Sequence, residues 1–171
     1  MKTIFLVSLL VFFASCQSKQ EYDLIIRNAT IYNGTGEKPF TGDVAVQADT
    51  IAFIGDLSKA VGKKEIEAEG LALAPGFINM LSWADGSLLK DGRSMSDIKQ
   101  GVTLEVFGEG WSPGPKRKTK KDTLWSTLGE YFQVLEKKGV STNFASFVGA
   151  TSVRNYVLGF EDKKPSEVEL S

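Results

Sequence analysis

The sequence predicts an α/β fold in two parts. A module of short β-strands occupies residues 22–70, and strands alternating with helices follow over residues 71–171. Three observations carry this reading. The first part alternates apolar and polar residues in short β-branched runs. From Leu71 the strand-like runs become nearly all apolar, as in a parallel sheet covered on both faces. Between two of them lies the clearest helical pattern in the chain, with Leu128, Tyr131, Phe132 and Leu135 spaced i, i+3, i+4 and i+7.

In chain order, residues 1–15 have the form of an export signal. Lys2 supplies a positive charge, Ile4 to Ala14 is apolar except for Ser8, and small residues precede Cys16. The run is too short to span a bilayer as a helix. Ala14-Ser15-Cys16 matches a bacterial lipoprotein signal, in which the cysteine is lipidated and becomes the new N-terminus. An ordinary secretory signal cleaved near Ser15 is the alternative. Residues 16–21 form a polar tether.

The strand module follows. Asp23 to Arg27 and Thr30 to Tyr32 are β-type runs, with Asn33-Gly34-Thr35-Gly36 as a turn. Asp43 to Gln47 and Thr50 to Ile54 form a hairpin about Ala48-Asp49, and Lys64 to Ala68 alternates as an exposed strand. Leu71 to Leu81 reads as a strand buried on both faces. Over residues 87–100, Gly92 breaks any helix, and Ser94 with Asp97 forms a cap for its second half. Val102 to Phe107 is a strand, and residues 108–122 are a loop rich in Gly, Pro and basic residues. Thr127 and Glu130 form a capping box for the helix over 128–138, which Gly139 stops. Asn143 to Val148 is the next strand. Ser166 and Glu169 begin another helix as the chain ends, and three strands cannot close a parallel barrel. The sequence therefore reads as the front part of a longer protein.

Composition removes several function classes. Twenty Lys+Arg against 21 Asp+Glu give a net charge of −1, so nucleic acid is not an expected partner. A single Cys excludes an intramolecular disulfide framework. With no His, the chain lacks the commonest metal ligand and the usual general base near neutrality. No Ser/His/Asp triad, phosphate-binding loop or dinucleotide fingerprint occurs.

Several motifs in order carry a family resemblance. Residues 22–36, 43–54, Ala74-Pro75-Gly76-Phe77-Ile78 and Gln100-Gly101-Val102-Thr103 resemble the amidohydrolase superfamily. Residues 131–139 and Val148 to Arg154 narrow the resemblance to its N-acyl-D-amino-acid deacylase (D-aminoacylase) branch. This implies the start of a metal-dependent (β/α)8 barrel, preceded by part of a small β-sandwich, with the chemistry at the C-terminal strand ends. It also implies zinc as cofactor and an N-acyl amino acid or related amide as substrate.

The departures are as informative as the matches. After Pro-Gly-Phe-Ile the family places Asp, a spacer and His-x-His, and here those positions hold Asn79, Leu81 and Trp83. Alternation along a strand places Leu81 and Trp83 on one face. The branch's Cys in Gly-Asn-Cys-Gly corresponds to Gly110, and the His of Val-Gly-His to Ala150. No catalytic residue is therefore assigned. Glu109, at a strand end between glycines, is the one candidate replacement metal ligand; a solvated loop carboxylate is the alternative. Trp83 and Trp111 are candidate walls for an apolar substrate, with rim or core packing as the alternative. Glu105, mid-strand, would if buried need a partner such as a Lys or Arg from a missing strand, and reads as a structural ion pair before a catalytic acid. Lys116 to Lys121 reads as a solvated basic loop.

Two functions follow. One is an exported, membrane-anchored hydrolase of non-peptide C–N bonds, of which this is the N-terminal part. The other is a non-catalytic surface lipoprotein, or a truncated remnant, that keeps the scaffold.

Overall fold

The first strand, β1 (Glu21–Ile31), is one continuous strand where the sequence predicts two. Asn28 adopts φ 57°, and the pairing register with β2 (Phe40–Gln47) shifts between Ile26 and Ala29. The extra residue of this bulge reverses the in–out alternation. Before it, Ile25 packs on one face with Tyr22, Ala45, Leu57 and Ala60. After it, Ala29 and Ile31 join Val44 and Ala68 on the face where Ile26 lies. The structure is a computed structural model describing residues 19–118 and 124–170. The export signal, Cys16 and the tether up to residue 18 lie outside the described residues.

Strand β3 (Thr50–Gly55) returns antiparallel to β2, and β4 (Val61–Glu67) runs parallel to β1. The short β5 (Ala72–Leu73) also pairs with β1, giving a five-stranded mixed sheet in which β3, β2, β1 and β4 follow in order. Arg27 ties the sheet to its loops, donating to Glu65, Asp43 and the carbonyls of Leu57 and Ala60. One face carries an apolar groove of ≈ 230 Å³, lined in part by Ile26, Val44, Val46, Ile51 and Ile54. Among the described residues this unit is a single sheet.

The chain divides into two compact units between Pro75 and Gly76. The expected single strand over residues 71–81 is therefore two: β5 in the first sheet and β6 (Phe77–Asn79) in the second. Proline removes a ladder donor at the join. Burial on both faces is not observed either, since Leu71, Phe77, Ile78, Met80 and Leu81 are all more than half exposed.

In the second unit, β6, β7 (Val102–Phe107) and β8 (Asn143–Ser146) form a parallel sheet in that order. Between β6 and β7 the broken helix appears as α1 (Asp85–Lys90) and α2 (Met95–Ile98). Ser94 sits at the start of α2 with φ 46° and makes no side-chain cap to a backbone N–H; its hydroxyl instead contacts the carboxylates of Glu105 at 2.9 Å and Asp97 at 3.3 Å. Helix α3 (Leu128–Lys138) has the capping box and Gly139 end that its sequence specifies. Its buried Tyr131 and Leu135 meet Phe107 and Leu88, forming the core between sheet and helices. Helix α4 (Ala150–Leu158) was not legible in the sequence, and α5 (Glu167–Leu170) is one turn.

Candidate functional site

The C-terminal ends of β6 and β7 border a small cleft of ≈ 30 Å³. Strand β6 ends at Asn79, whose side-chain oxygen accepts the backbone N–H of Leu81 at 3.2 Å and turns the chain. Leu81 and Trp83 therefore lie beyond the strand, not alternating along it as their spacing suggested. The ladder persists at one point, where the Ser82 N–H donates to the Val106 carbonyl at 2.9 Å. Helix α1 then begins, and its Asp85 carbonyl accepts the buried Tyr131 hydroxyl at 2.8 Å. Burial, helped by the negative charges of Asp85 and Glu105, pushes that phenol well above its ordinary range.

At the end of β7 the chain must pass close to β8. Gly108 has φ 92°, and a Cβ there would collide with the Phe147 carbonyl oxygen, so glycine is required at this position. The next residues, Glu109 to Ser112, are fixed from α4. Ser152 and Ser112 bond reciprocally: the Ser112 N–H donates to the Ser152 hydroxyl at 2.8 Å, and that hydroxyl donates to the Ser112 carbonyl at 3.0 Å. The Thr151 N–H adds a bond to the Gly110 carbonyl. This clasp is the positioning element that the sequence reading missed.

The resulting cleft is lined by Ser82, Trp83, Asp85, Glu109 and Trp111 among others. Three predicted site residues, Glu109, Trp83 and Trp111, are thus brought together. Trp83 is 68% exposed and Trp111 46%, so neither is core packing, and Trp111 stacks on Phe160 with centroids 6.2 Å apart. Glu109 is exposed. Cys16 lies outside the described residues. The basic run is only partly solvated: Lys116 lies over the Trp125 ring, and Arg117 donates to the carbonyls of Tyr156 and Val157. Lys118 bonds Glu130. Residues 119–123 are outside the described set.

Glu105 finds hydroxyl partners within this chain. It is fully buried, and its carboxylate accepts from the hydroxyls of Ser82 at 2.5 Å, Ser94 at 2.9 Å and Thr142 at 3.3 Å. No cation is recorded with it among the described residues; three hydroxyl donors satisfy it.

No family model matches the chain. It is, however, similar to the N-acyl-D-aspartate deacylase of Alcaligenes xylosoxydans xylosoxydans, 31% identical over 159 residues covering 86% of this chain and 32% of that protein. It also superposes on the N-acyl-D-glutamate deacylase of Bordetella bronchiseptica, complexed with zinc and a phosphonate inhibitor. That match has a TM-score of 0.80 and 25% identity, over 88% of this chain and 34% of the other. This chain is a homologue of the N-acyl-D-amino-acid deacylases. A D-aminoacylase structure of the amidohydrolases matches as well, with a TM-score of 0.73 and 28% identity over 87% of this chain and 34% of that one. The chain spans about a third of the length of the deacylases it matches.

Metal is a feature of these deacylases: zinc in the inhibitor complex, copper with a D-aminoacylase variant, and a binuclear centre in D-aminoacylase. The donor set on this chain does not fit such a centre. The sequence has no His, and among the described residues no three of His, Cys, Asp and Glu come together. Asp85 and Glu109 are the two acidic residues that line the cleft, without the imidazoles a zinc site draws on.

Proposed function

We propose that the protein carrying this chain is a deacylase-like amidohydrolase acting on the non-peptide amide bond of an N-acyl amino acid. The similarity to N-acyl-D-amino-acid deacylases across nearly nine-tenths of the chain carries this reading. In it, the second unit is the start of a (β/α)8 barrel and the first sheet is part of a small β-sandwich. Trp83 and Trp111, exposed at the strand ends, form the apolar wall against which the acyl chain packs; the hollow between them, ≈ 30 Å³, is itself only water-sized. The protein is exported and held to a membrane through lipid on Cys16, a reading supported by the apolar segment and small residues that precede it.

The test is hydrolysis of N-acetyl-D-amino acids by the whole protein, with the L-enantiomers as control. Turnover selective for D-substrates is expected; no turnover of either series overturns the enzymatic reading. For the anchor, Cys16→Ala should move the protein to the soluble exported fraction. Absence of fatty-acid labelling of the wild type overturns lipidation.

One observation favours a second reading, a non-catalytic surface lipoprotein or truncated remnant retaining the scaffold. The positions that carry His-x-His in the family hold Leu81 and Trp83, and the chain offers no replacement imidazole. Binding of N-acyl amino acids without turnover would support it.

A further inference from the structure

A buried carboxylate between a sheet and its helices is not what packing calls for. An apolar side chain of similar volume generally serves such a place as well or better, since it needs no donors. Glu105 nevertheless lies in the centre of β7, paired with Asn79 of β6 and Phe144 of β8, and fully buried. Its partners come from three separate segments. Ser82 belongs to the turn after β6, Ser94 opens α2 in a left-handed conformation, and Thr142 leads into β8. The carboxylate touches all three, beside a Ser141 N–H to Gly92 carbonyl bond that joins two of them and the Ser82 N–H to Val106 carbonyl bond.

The Ser82 branch leads to the cleft. While its hydroxyl donates to Glu105, its oxygen accepts the Ala84 N–H at 3.1 Å, so the Ser82–Asp85 turn is clamped at both ends of one side chain. That turn presents Trp83 and Asp85 to the cleft opposite Glu109 and Trp111. We infer that Glu105 is a positioning residue: through Ser82 it fixes the wall of the cleft that carries Trp83 and Asp85. The functional side of this inference rests on the cleft being the substrate site.

The experiment compares wild type with Glu105→Met and Glu105→Gln by residue-resolved amide hydrogen exchange on the whole protein, alongside N-acyl-D-amino acid kinetics. Met keeps the volume and removes both acceptors; Gln keeps one acceptor and guards against a Met variant that fails to fold. The hydrogen-bonded amides of Ser82 and Ala84 should exchange at least tenfold faster in Glu105→Met and by less in Glu105→Gln, while those of α3 stay within twofold. KM should rise with kcat less affected. Acceleration spread evenly over β7 and α3 would mean a purely structural role, and unchanged exchange at Ser82 and Ala84 would refute the clamp; either overturns the inference. If the wild type does not hydrolyse these substrates, the deacylase reading fails, while the exchange pattern still decides the role of Glu105.

Discussion

Replacing Arg27 by Met should loosen the first sheet far more than a surface substitution would. The guanidinium makes two bonds to Glu65, at 3.1 and 2.8 Å, one to Asp43 at 3.3 Å, and one each to the Leu57 and Ala60 carbonyls at 2.8 and 3.0 Å. The Glu65 arm reaches solvent and adds little. The other three bonds are at least partly buried, and they join β1 to the segment that delivers Leu57 and Ala60 to the core. Without Arg27, the nearly buried Asp43 keeps only the N–H donors of Asn28 and Leu57. Leaving one charge of such a pair uncompensated costs about 3 kcal/mol. Met retains the apolar stem, so lost packing contributes little to the difference. Hydrogen exchange at Val61 and Ala68, whose N–H groups bond to the Gln20 and Arg27 carbonyls, reads the β1–β4 pairing. Exchange should quicken by roughly two orders of magnitude, the equivalent of that energy. A change below about tenfold would refute the reasoning.

Three further outcomes are expected. The Arg27 guanidinium, with help from the Gly62 N–H, lowers the Glu65 carboxyl from 4.5 to about 2. Its contribution, small because the pair reaches solvent, is complete above about pH 4.5 and lost as pH falls toward 2, so protection in β4 should decline modestly across that window and Glu65→Gln should flatten that part of the decline. Thr127→Ala removes the acceptor for the Glu130 N–H at 3.2 Å and should destabilise α3 by about 1 kcal/mol in urea unfolding followed by tryptophan fluorescence. Leu135→Ala, in the fully buried cluster with Leu88, Phe107 and Tyr131, should cost about 3 kcal/mol in the same assay, against little for the exposed Gln133→Ala.

Elements with purely local determinants were legible in the sequence. The capping box, the apolar spacing and Gly139 define α3 to the residue, and the alternation about Ala48-Asp49 defines the β2–β3 hairpin. What escaped was set by contacts distant in sequence. Helix α4 opens Ala150-Thr151-Ser152-Val153, mostly weak helix formers without a side-chain cap, and the Ser112–Ser152 clasp meets its first turn. The bulge at Asn28 split β1 in the sequence pattern because it reverses the alternation while the strand continues. At the site, Glu109, Trp83 and Trp111 were found through their places after family motifs. The hydroxyls around Glu105 were not, since nothing in the spacing of Ser82, Ser94 and Thr142 reveals that they converge.

The central claim is that this chain keeps a deacylase scaffold while its cleft lacks the donors for the metal that those deacylases carry. Zinc binding by the purified chain tests it most directly, by equilibrium dialysis against zinc with a competing chelator and comparison with Glu109→Gln. Zinc well below one ion per chain, and equal in the two proteins, is the expected result. One zinc per chain that resists the chelator and is lost in Glu109→Gln would contradict the claim, and would place a metal centre on the carboxylates of this cleft.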